Sequence, residues 1–171
     1  MYYQQRVFNT ALSLVQDSGM AEDVAQEVFI TIFRSILLFD ERSSLSTWIY
    51  RITVNKSLDH LRAKNRKKRS GIMRQLFDQE SGTLLHEHPD FEHPGIKLEQ
   101  KESARLLFAA IRSLPERQKT VFVLAHIEEL PQKEIADIMD LSVKGVESLL
   151  QRAKINLRKK LASFYERRKK G

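Results

Sequence analysis

The spacing of apolar side chains in the first part of the chain predicts three helices and no strand. Apolar positions in residues 2–17 recur at intervals of three and four, and a short polar break at 17–19 ends this pattern. A second helix is predicted from about 21 to 38. Its inner face is assigned Val24, Ala25, Val28, Phe29, Ile32, Phe33 and Ile36. After a polar loop at 39–46, a third helix is expected to run to about Lys68.

Helical periodicity returns near Glu99 and predicts four more helices. Pro115 and Pro131 each stand where a new helix begins, a position at which a missing N–H costs nothing. Ser142 is a suitable N-cap for the last helix. The inner face of that helix is assigned Val143, Val146, Leu150, Ala153 and Leu157. The expected fold is therefore all-α, with helical domains at 1–68 and 98–171 and a linker at 69–97.

Charge is distributed unevenly along this pattern. The net charge of +7 hides a neutral stretch at 1–64, a net −3 at 71–98 and a net +8 at 152–171. Such segregation suggests segments with different partners, and a basic helical end is typical of phosphate binding. A solvated C-terminal tail would give the same composition, so charge alone leaves nucleic-acid binding open.

Several classes of protein are excluded or disfavoured by composition. The chain has no cysteine, which rules out disulfides and cysteine-based zinc sites. No apolar run approaches the roughly 18 residues of a membrane span, and the start lacks the pattern of a secretion signal. A cytoplasmic protein is the expectation. Three linker histidines, His86, His88 and His93, have no helix to fix them, so neither a metal nor a cofactor is predicted.

The segment 132–158 has the proportions of a helix-turn-helix, with a short first helix and a turn of three or four residues. Removing the buried positions of its second helix leaves side chains that can read base edges or bind phosphates. These outward residues are Lys144, Glu147, Ser148, Gln151, Arg152 and Lys154, next to Ser142. A generic helical hairpin shares the apolar spacing but does not need basic residues along one end. The pattern therefore favours DNA.

Two stretches resemble known transcription-factor regions. "LPERQKTVFVLAHIEELPQKEIADIMDLSVKGVESLLQRAKINLRKKL" (114–161) resembles region 4 of the bacterial sigma-70 family. "AEDVAQEVFITIFRSILLFDERSSLSTWIYRITVNKSLDHLRAKNRK" (21–67) resembles sigma region 2, through A-E-D-x-x-Q-E-V-F and T-W-[IL]-Y-R-I-x-x-N-x-x-x-D-x-x-R. The two regions in this order, with no region 3 between them, resemble an extracytoplasmic-function (ECF, group 4) sigma factor.

This resemblance implies a protein without an active site that loads onto core RNA polymerase, through its β′ and β subunits, and onto promoter DNA. It also implies that the helix beginning at Ser142, with the outward residues given above, recognises the −35 element. In the family the second helix of region 2 binds a coiled coil of β′. The matching outward residues are Asp23, Gln26, Glu27, Ile30 and Arg34. Anti-sigma proteins often restrain family members, which makes one a further candidate partner. The linker lies in the polymerase channel in the family, where its acidic character fits mimicry of nucleic acid or an inert tether.

The resemblance also implies that the loop 39–47 and the third helix hold the −10 element. The pocket residues would be Ser43, Ser44, Leu45 and Ser46, with Asn55 beside them, and phosphates would meet Arg51, Lys56, Arg62 and Lys64. Trp48 is expected in the core with an edge near DNA, and Tyr50 at the DNA side or an interface.

The sequence departs from the family at several positions of region 4. Glu129 and Asp140 stand where glycine is usual, and "KGVES" replaces the common "GTVKS". Two other classes of protein fit the sequence less well. A free-standing DNA-binding regulator has no use for a core-binding helix. An enzyme is disfavoured because no paired carboxylates, nucleophile–base set or glycine-rich phosphate loop is present.

Overall fold

The computed structural model describes residues 2–39, 43–77 and 101–169, and these residues contain helices and no strand. The helices are α1 (Tyr2–Val15), α2 (Ser18–Ser35), α3 (Leu45–Phe77), α4 (Lys101–Arg112), α5 (Glu116–His126), α6 (Gln132–Met139) and α7 (Val143–Lys169). A single 3₁₀ turn, Ile36–Leu38, extends α2. The expected all-α class is confirmed.

Helices α1, α2 and α3 form a first unit around aliphatic side chains at helical spacing. Val7, Val24, Val28 and Val54 are almost fully buried where the three helices meet. The entry to α2 is fixed by Asp17, whose carboxylate accepts the backbone N–H of Met20 at 3.0 Å. A cap at this point sets the angle between α1 and α2.

Helices α4 to α7 form a second unit, in which α5, α6 and α7 enclose Leu124, Ile135 and Val146. Pro115 and Pro131 are the N-caps of α5 and α6. Ser142 caps α7, because its Oγ accepts the backbone N–H of Gly145 at 3.1 Å. The helix-turn-helix and the predicted cap are both present.

The backbone takes a left-handed conformation at both positions where the family usually has glycine. Glu129 has φ 54° and Asp140 has φ 53°. The left-handed residue at Asp140 ends α6, and the next N–H, that of Leu141, bonds to the carbonyl of Ala136 at 2.9 Å. The sharp turn thus forms without glycine, at a steric cost that aspartate bears better than most residues.

The two units pack directly against each other, α1 on α5 and α3 on α6. Gln16 fixes one end of this contact. Its amide nitrogen donates to the carbonyl of Phe108 at 3.0 Å, and its amide oxygen accepts from Nε of Arg112 at 3.0 Å. The two units therefore form one packed body, with a polar contact inside the boundary.

Four details of the sequence prediction were wrong. Helix α3 continues to Phe77 without a break, past its predicted end at Lys68. Phe33 and Ile36 were assigned to the inner face of α2 but are 84% and 41% exposed. Val143 is 42% exposed, because it lies at the first turn of α7, before that helix reaches the core.

Candidate nucleic-acid and protein interfaces

The residues predicted to read the −35 element form one exposed strip on α7. Every one of them is exposed: Ser142, Lys144, Glu147, Ser148, Gln151, Arg152 and Lys154. On the other side of the helix Val146, Leu150 and Ala153 are buried. The strip combines hydroxyl, amide and cationic groups with one carboxylate, so it can donate to base edges and phosphates.

The residues predicted to bind core polymerase lie on the outward side of α2. Asp23, Gln26, Ile30 and Arg34 are exposed. Glu27 is half-buried, because it pairs with Nζ of Lys56 at 3.1 Å and with Nε2 of His60 at 3.0 Å. These two contacts, His60 first, hold the pKa of Glu27 below its usual value. Glu27 therefore ties α2 to α3 as well as facing outward.

An apolar patch at the end of α2 was missed by the sequence interpretation. Phe33, Leu37 and Leu38 are 84%, 95% and 80% exposed, and Ile30 and Ile36 adjoin them. A cluster of large apolar side chains on the surface of a soluble protein marks an interaction site. The run "ILLFD" after Ser35 pointed to it, because three successive apolar residues cannot all face one side of a helix.

The residues predicted to hold the −10 element are divided between surface and interior. Ser44, Leu45, Arg51, Asn55 and Arg62 are exposed, and Ser43, Ser46, Trp48, Lys56 and Lys64 are half-buried. Trp48 packs against the core, with its ring centroid 5.2 Å from that of Phe39. Tyr50 is only 4% exposed, at the boundary between the two units.

Much of the predicted −10 surface is covered by the second unit. A chain of hydroxyls leads to it: Oγ of Ser44 and Oγ1 of Thr47 lie 2.8 Å apart, and Thr47 donates to Glu134 at 3.1 Å. On the next turn of α3, the guanidinium of Arg51 donates to the main-chain carbonyl of Asp137. Helix α6 thus lies where a −10 strand would approach these groups.

Tyr50 adds a buried contact across the same boundary. Its hydroxyl donates to Glu128 at 3.0 Å, and the guanidinium carbon of Arg6 lies 5.8 Å from the centroid of its ring. Burial raises the pKa of both Tyr50 and Glu128. The Tyr50 hydrogen bond opposes that rise for Glu128, because it favours the ionised carboxylate.

The cations assigned to phosphates also have protein partners. Arg62 forms a two-point contact with Glu116 of α5, at 2.5 and 3.2 Å. Lys64 lies 3.0 Å from Asp17, and Lys56 is held by Glu27. In this arrangement the predicted −10 residues are therefore brought together on α3 and the turn before it, but most of their polar groups already have protein partners.

The linker histidines and positions 78–97 of the predicted linker lie outside the described residues. Within the described ranges, no group of three potential ligand side chains could hold a metal ion. No helix in the same ranges is long and apolar enough to cross a membrane.

Comparison with known proteins gives the family. Residues 1–67 match the model of Sigma-70 region 2, and residues 104–157 match that of Sigma-70, region 4. The ECF RNA polymerase sigma-E factor of Haemophilus influenzae is 33% identical over 161 residues, covering 93% of this chain and 83% of that protein. SigW of Bacillus subtilis, also an ECF sigma factor, is 30% identical over 160 residues, covering 93% and 84%.

Solved structures show the same fold. The Bartonella quintana sigma factor RpoE, crystallised with the anti-sigma factor NepR, superposes with a TM-score of 0.66 at 18% identity, covering 93% of this chain and 91% of that one. CnrH, solved with the cytosolic domain of CnrY, gives 0.62 at 22% identity, covering 92% and 80%. This chain belongs to the ECF group of the sigma-70 family, whose members are transcription initiation factors.

Proposed function

We propose that this protein loads onto core RNA polymerase and directs transcription from promoters with its own −10 and −35 elements. The observation that carries this proposal is the apolar patch Phe33, Leu37 and Leu38 beside the polar strip of α2. A free-standing regulator that only grips DNA has no use for such a surface. Its place of action is the cytoplasm, where polymerase and promoter meet.

The division of labour follows the two units. Residues 1–68 serve as region 2, 69–97 as the linker and 98–171 as region 4. The outward side of α2 binds β′, with Asp23, Gln26, Ile30 and Arg34 around the apolar patch. An apolar centre with a polar rim is the usual composition of a protein interface. A sigma factor of the same fold was solved with an anti-sigma factor, which makes an anti-sigma protein a further partner to seek.

Polymerase binding is tested with Phe33→Ser plus Leu37→Ser in a pull-down on purified core polymerase. Loss of binding is expected, because both side chains are exposed and their removal leaves the fold intact. Ile155→Ser is the matched control, since Ile155 is 50% exposed on α7, away from α2. Equal retention of both proteins on polymerase would refute the interface.

Arg34→Glu gives a second probe of the same surface. This substitution is preferable to a charge reversal at Glu27, which would also break the pairs of Glu27 with Lys56 and His60.

Run-off transcription with core polymerase tests the proposed function as a whole. Absence of start-site-specific transcripts from any cognate promoter would refute the sigma role.

The −35 role rests on the exposed strip of α7. Gln151→Ala or Arg152→Ala is expected to weaken binding to the −35 element. The loss of binding free energy should be about 1–3 kcal/mol if the side chain makes a base contact. Core binding should be unchanged, because α7 and the α2 patch are different surfaces. Loss of core binding in these variants would contradict that separation.

The −10 role requires the two units to separate. Arg51 and Tyr50 cannot hold a DNA strand while α6 and Glu128 occupy them. The −10 element is therefore engaged only after α6 leaves α3. Exposed Asn55 and Leu45 lie beside the same surface and complete the pocket once it opens.

A further inference from the structure

A cleft of about 290 Å³ lies between the two units, on the side of Gln16. It is formed by the end of α1, the middle of α3 and the α4–α5 junction. The lining residues that matter below are Asp17, Lys64, Lys68, Arg112, Glu116 and Lys119. Both units contribute to it, so the cleft exists only while they are packed together.

Lys119 is the unusual residue of this cleft. It lies on α5 and is only 7% exposed, yet its ammonium has no hydrogen-bond or ion-pair partner among the described residues. Since no buried side-chain nitrogen or oxygen there lacks a partner, this ammonium is reached by solvent through the cleft. Burial lowers the pKa of Lys119, and the charge of Arg112 lowers it further, while the nearby carboxylate of Glu116 offsets only part of this shift.

The other side chains that line the cleft leave it with an excess of positive charge. Four cationic side chains line the cleft against two carboxylates. Asp17 is already bonded to Lys64 at 3.0 Å, and Glu116 is held by Arg62 at 2.5 Å. Arg112 donates its Nε–H to Gln16, and among the described residues its other N–H groups have no hydrogen-bond acceptor. The cleft therefore has positive charge to spare and donors from both units.

We propose that this cleft binds a small phosphorylated molecule, with Lys119 and Arg112 as the principal ligands of its phosphate. A compact, doubly charged anion suits a partly buried ammonium beside a guanidinium fork, and the volume admits a small molecule. Both ligands belong to the second unit, but α1 and α3 of the first unit form the opposite wall of the cleft, where Lys68 adds a cation. A ligand in the cleft therefore contacts both units and holds them together. Resting on the proposed function, this makes the ligand an inhibitor, because the closed arrangement covers the −10 surface.

Binding is tested on the full chain by calorimetric titration with inorganic pyrophosphate. Lys119→Met removes the charge and keeps the stem, so affinity should fall at least tenfold. Lys119→Arg should retain most of it, and Lys133→Met, an exposed lysine of α6, is the control. Equal affinity in wild type and Lys119→Met would overturn the proposal.

The same phosphate chemistry could come from nucleic acid, so a short single-stranded oligonucleotide is titrated in parallel. Tight, Lys119-dependent binding of pyrophosphate with little effect on the oligonucleotide supports the small-molecule site. Lys119 dependence for the oligonucleotide alone would overturn it. Sodium chloride matched for ionic strength removes general screening as an explanation.

Coupling to the closed arrangement is measured by energy transfer. The chain has no cysteine, so Arg66→Cys and Gln132→Cys place dyes on α3 and α6 without further changes. Pyrophosphate should raise the transfer efficiency in this protein and leave it unchanged when Lys119→Met is added. No transcription enters these measurements. A failed run-off assay would therefore refute the sigma role alone, and a failed titration the cleft alone.

Discussion

Opening of the boundary between the units can be tested by removing the two carboxylates that hold α3. The double variant Glu128→Ala plus Glu134→Ala deprives Tyr50 and Thr47 of their acceptors. The Tyr50 hydroxyl is left in a site only 4% exposed, at a cost of about 1–3 kcal/mol. Thr47 keeps its contact with Ser44, so the second loss is smaller, about 0.5–1 kcal/mol.

Together these losses weaken the closed arrangement by roughly 2 kcal/mol, a factor of about thirty in the open-to-closed ratio. The apparent affinity for a −10 strand depends on the fraction of open molecules. As long as the closed form dominates, the double variant should bind a single-stranded −10 oligonucleotide about ten- to thirtyfold more tightly. Fluorescence anisotropy of the labelled oligonucleotide, without polymerase, measures this directly.

Asp137→Ala provides the matched control. It removes a carboxylate from α6, the helix that carries Glu134. Arg51 bonds to the main-chain carbonyl of residue 137, and this contact remains in the variant. If general repulsion of DNA by acidic groups were the cause, this variant would gain as much affinity as the double variant. That result, or an unchanged affinity in the double variant with its helix content intact, would refute the boundary as the barrier.

Three further predictions concern stability and pH. Asp17→Ala should lower the free energy of unfolding by about 1–2 kcal/mol in urea, because α2 loses its cap, whereas Asp17→Asn keeps the cap and should lose less; equal losses would place the effect elsewhere. Asp140→Gly should raise the free energy of unfolding by about 0.5–1 kcal/mol, because glycine adopts the left-handed conformation without steric cost. A decrease would show that the φ of 53° carries little strain. Because burial raises the pKa of Glu128, protonation of its carboxyl adds to the stability of the closed arrangement. This addition is fully present below pH 4.5, the ordinary pKa of glutamate, and is lost as the pH rises through the raised pKa, while the hydrogen bond from Tyr50 remains. Energy transfer between dyes on α3 and α6 should therefore increase on acidification toward that pH, and Glu128→Gln should abolish the change.

The helices and the exposed strip of α7 could be predicted because they depend on local spacing. On α7 the buried Val146, Leu150 and Ala153 recur at helical intervals, so the outward residues follow by subtraction. The turn at Asp140 was foreseen for a similar reason, since a left-handed position tolerates few residue types. Such features need no knowledge of distant segments.

The same reasoning failed to predict the apolar patch at the end of α2. Periodicity assigns every apolar residue to the interior, so Phe33 and Ile36 were placed inside α2. Exposed apolar side chains of this size are typical of an interaction surface, and periodicity alone does not distinguish such a surface from the core. A rule that treats apolar side chains as buried will miss interfaces wherever the interface adjoins the core.

The boundary contacts were beyond sequence reasoning because they join distant segments. Gln16 reaches Phe108 across 92 positions, and Tyr50 reaches Glu128 across 78. Neither pair follows from spacing or composition. The burial of Lys119 likewise depends on how the two units meet, so an ordinary lysine in sequence becomes a buried cation in the fold.

Under the proposed function, the closed arrangement sets an order on promoter recognition. The α2 patch and the α7 strip are both uncovered, while α6 covers the −10 surface of α3. Polymerase and a −35 element can therefore bind before the units separate. A ligand shifts such an equilibrium only by its difference in affinity for the two forms. Polymerase must then prefer the open form by more than the few kcal/mol that Thr47, Tyr50 and Arg51 contribute to closure. On this reasoning −10 engagement is confined to molecules already held by polymerase, which keeps the free protein from occupying single-stranded DNA.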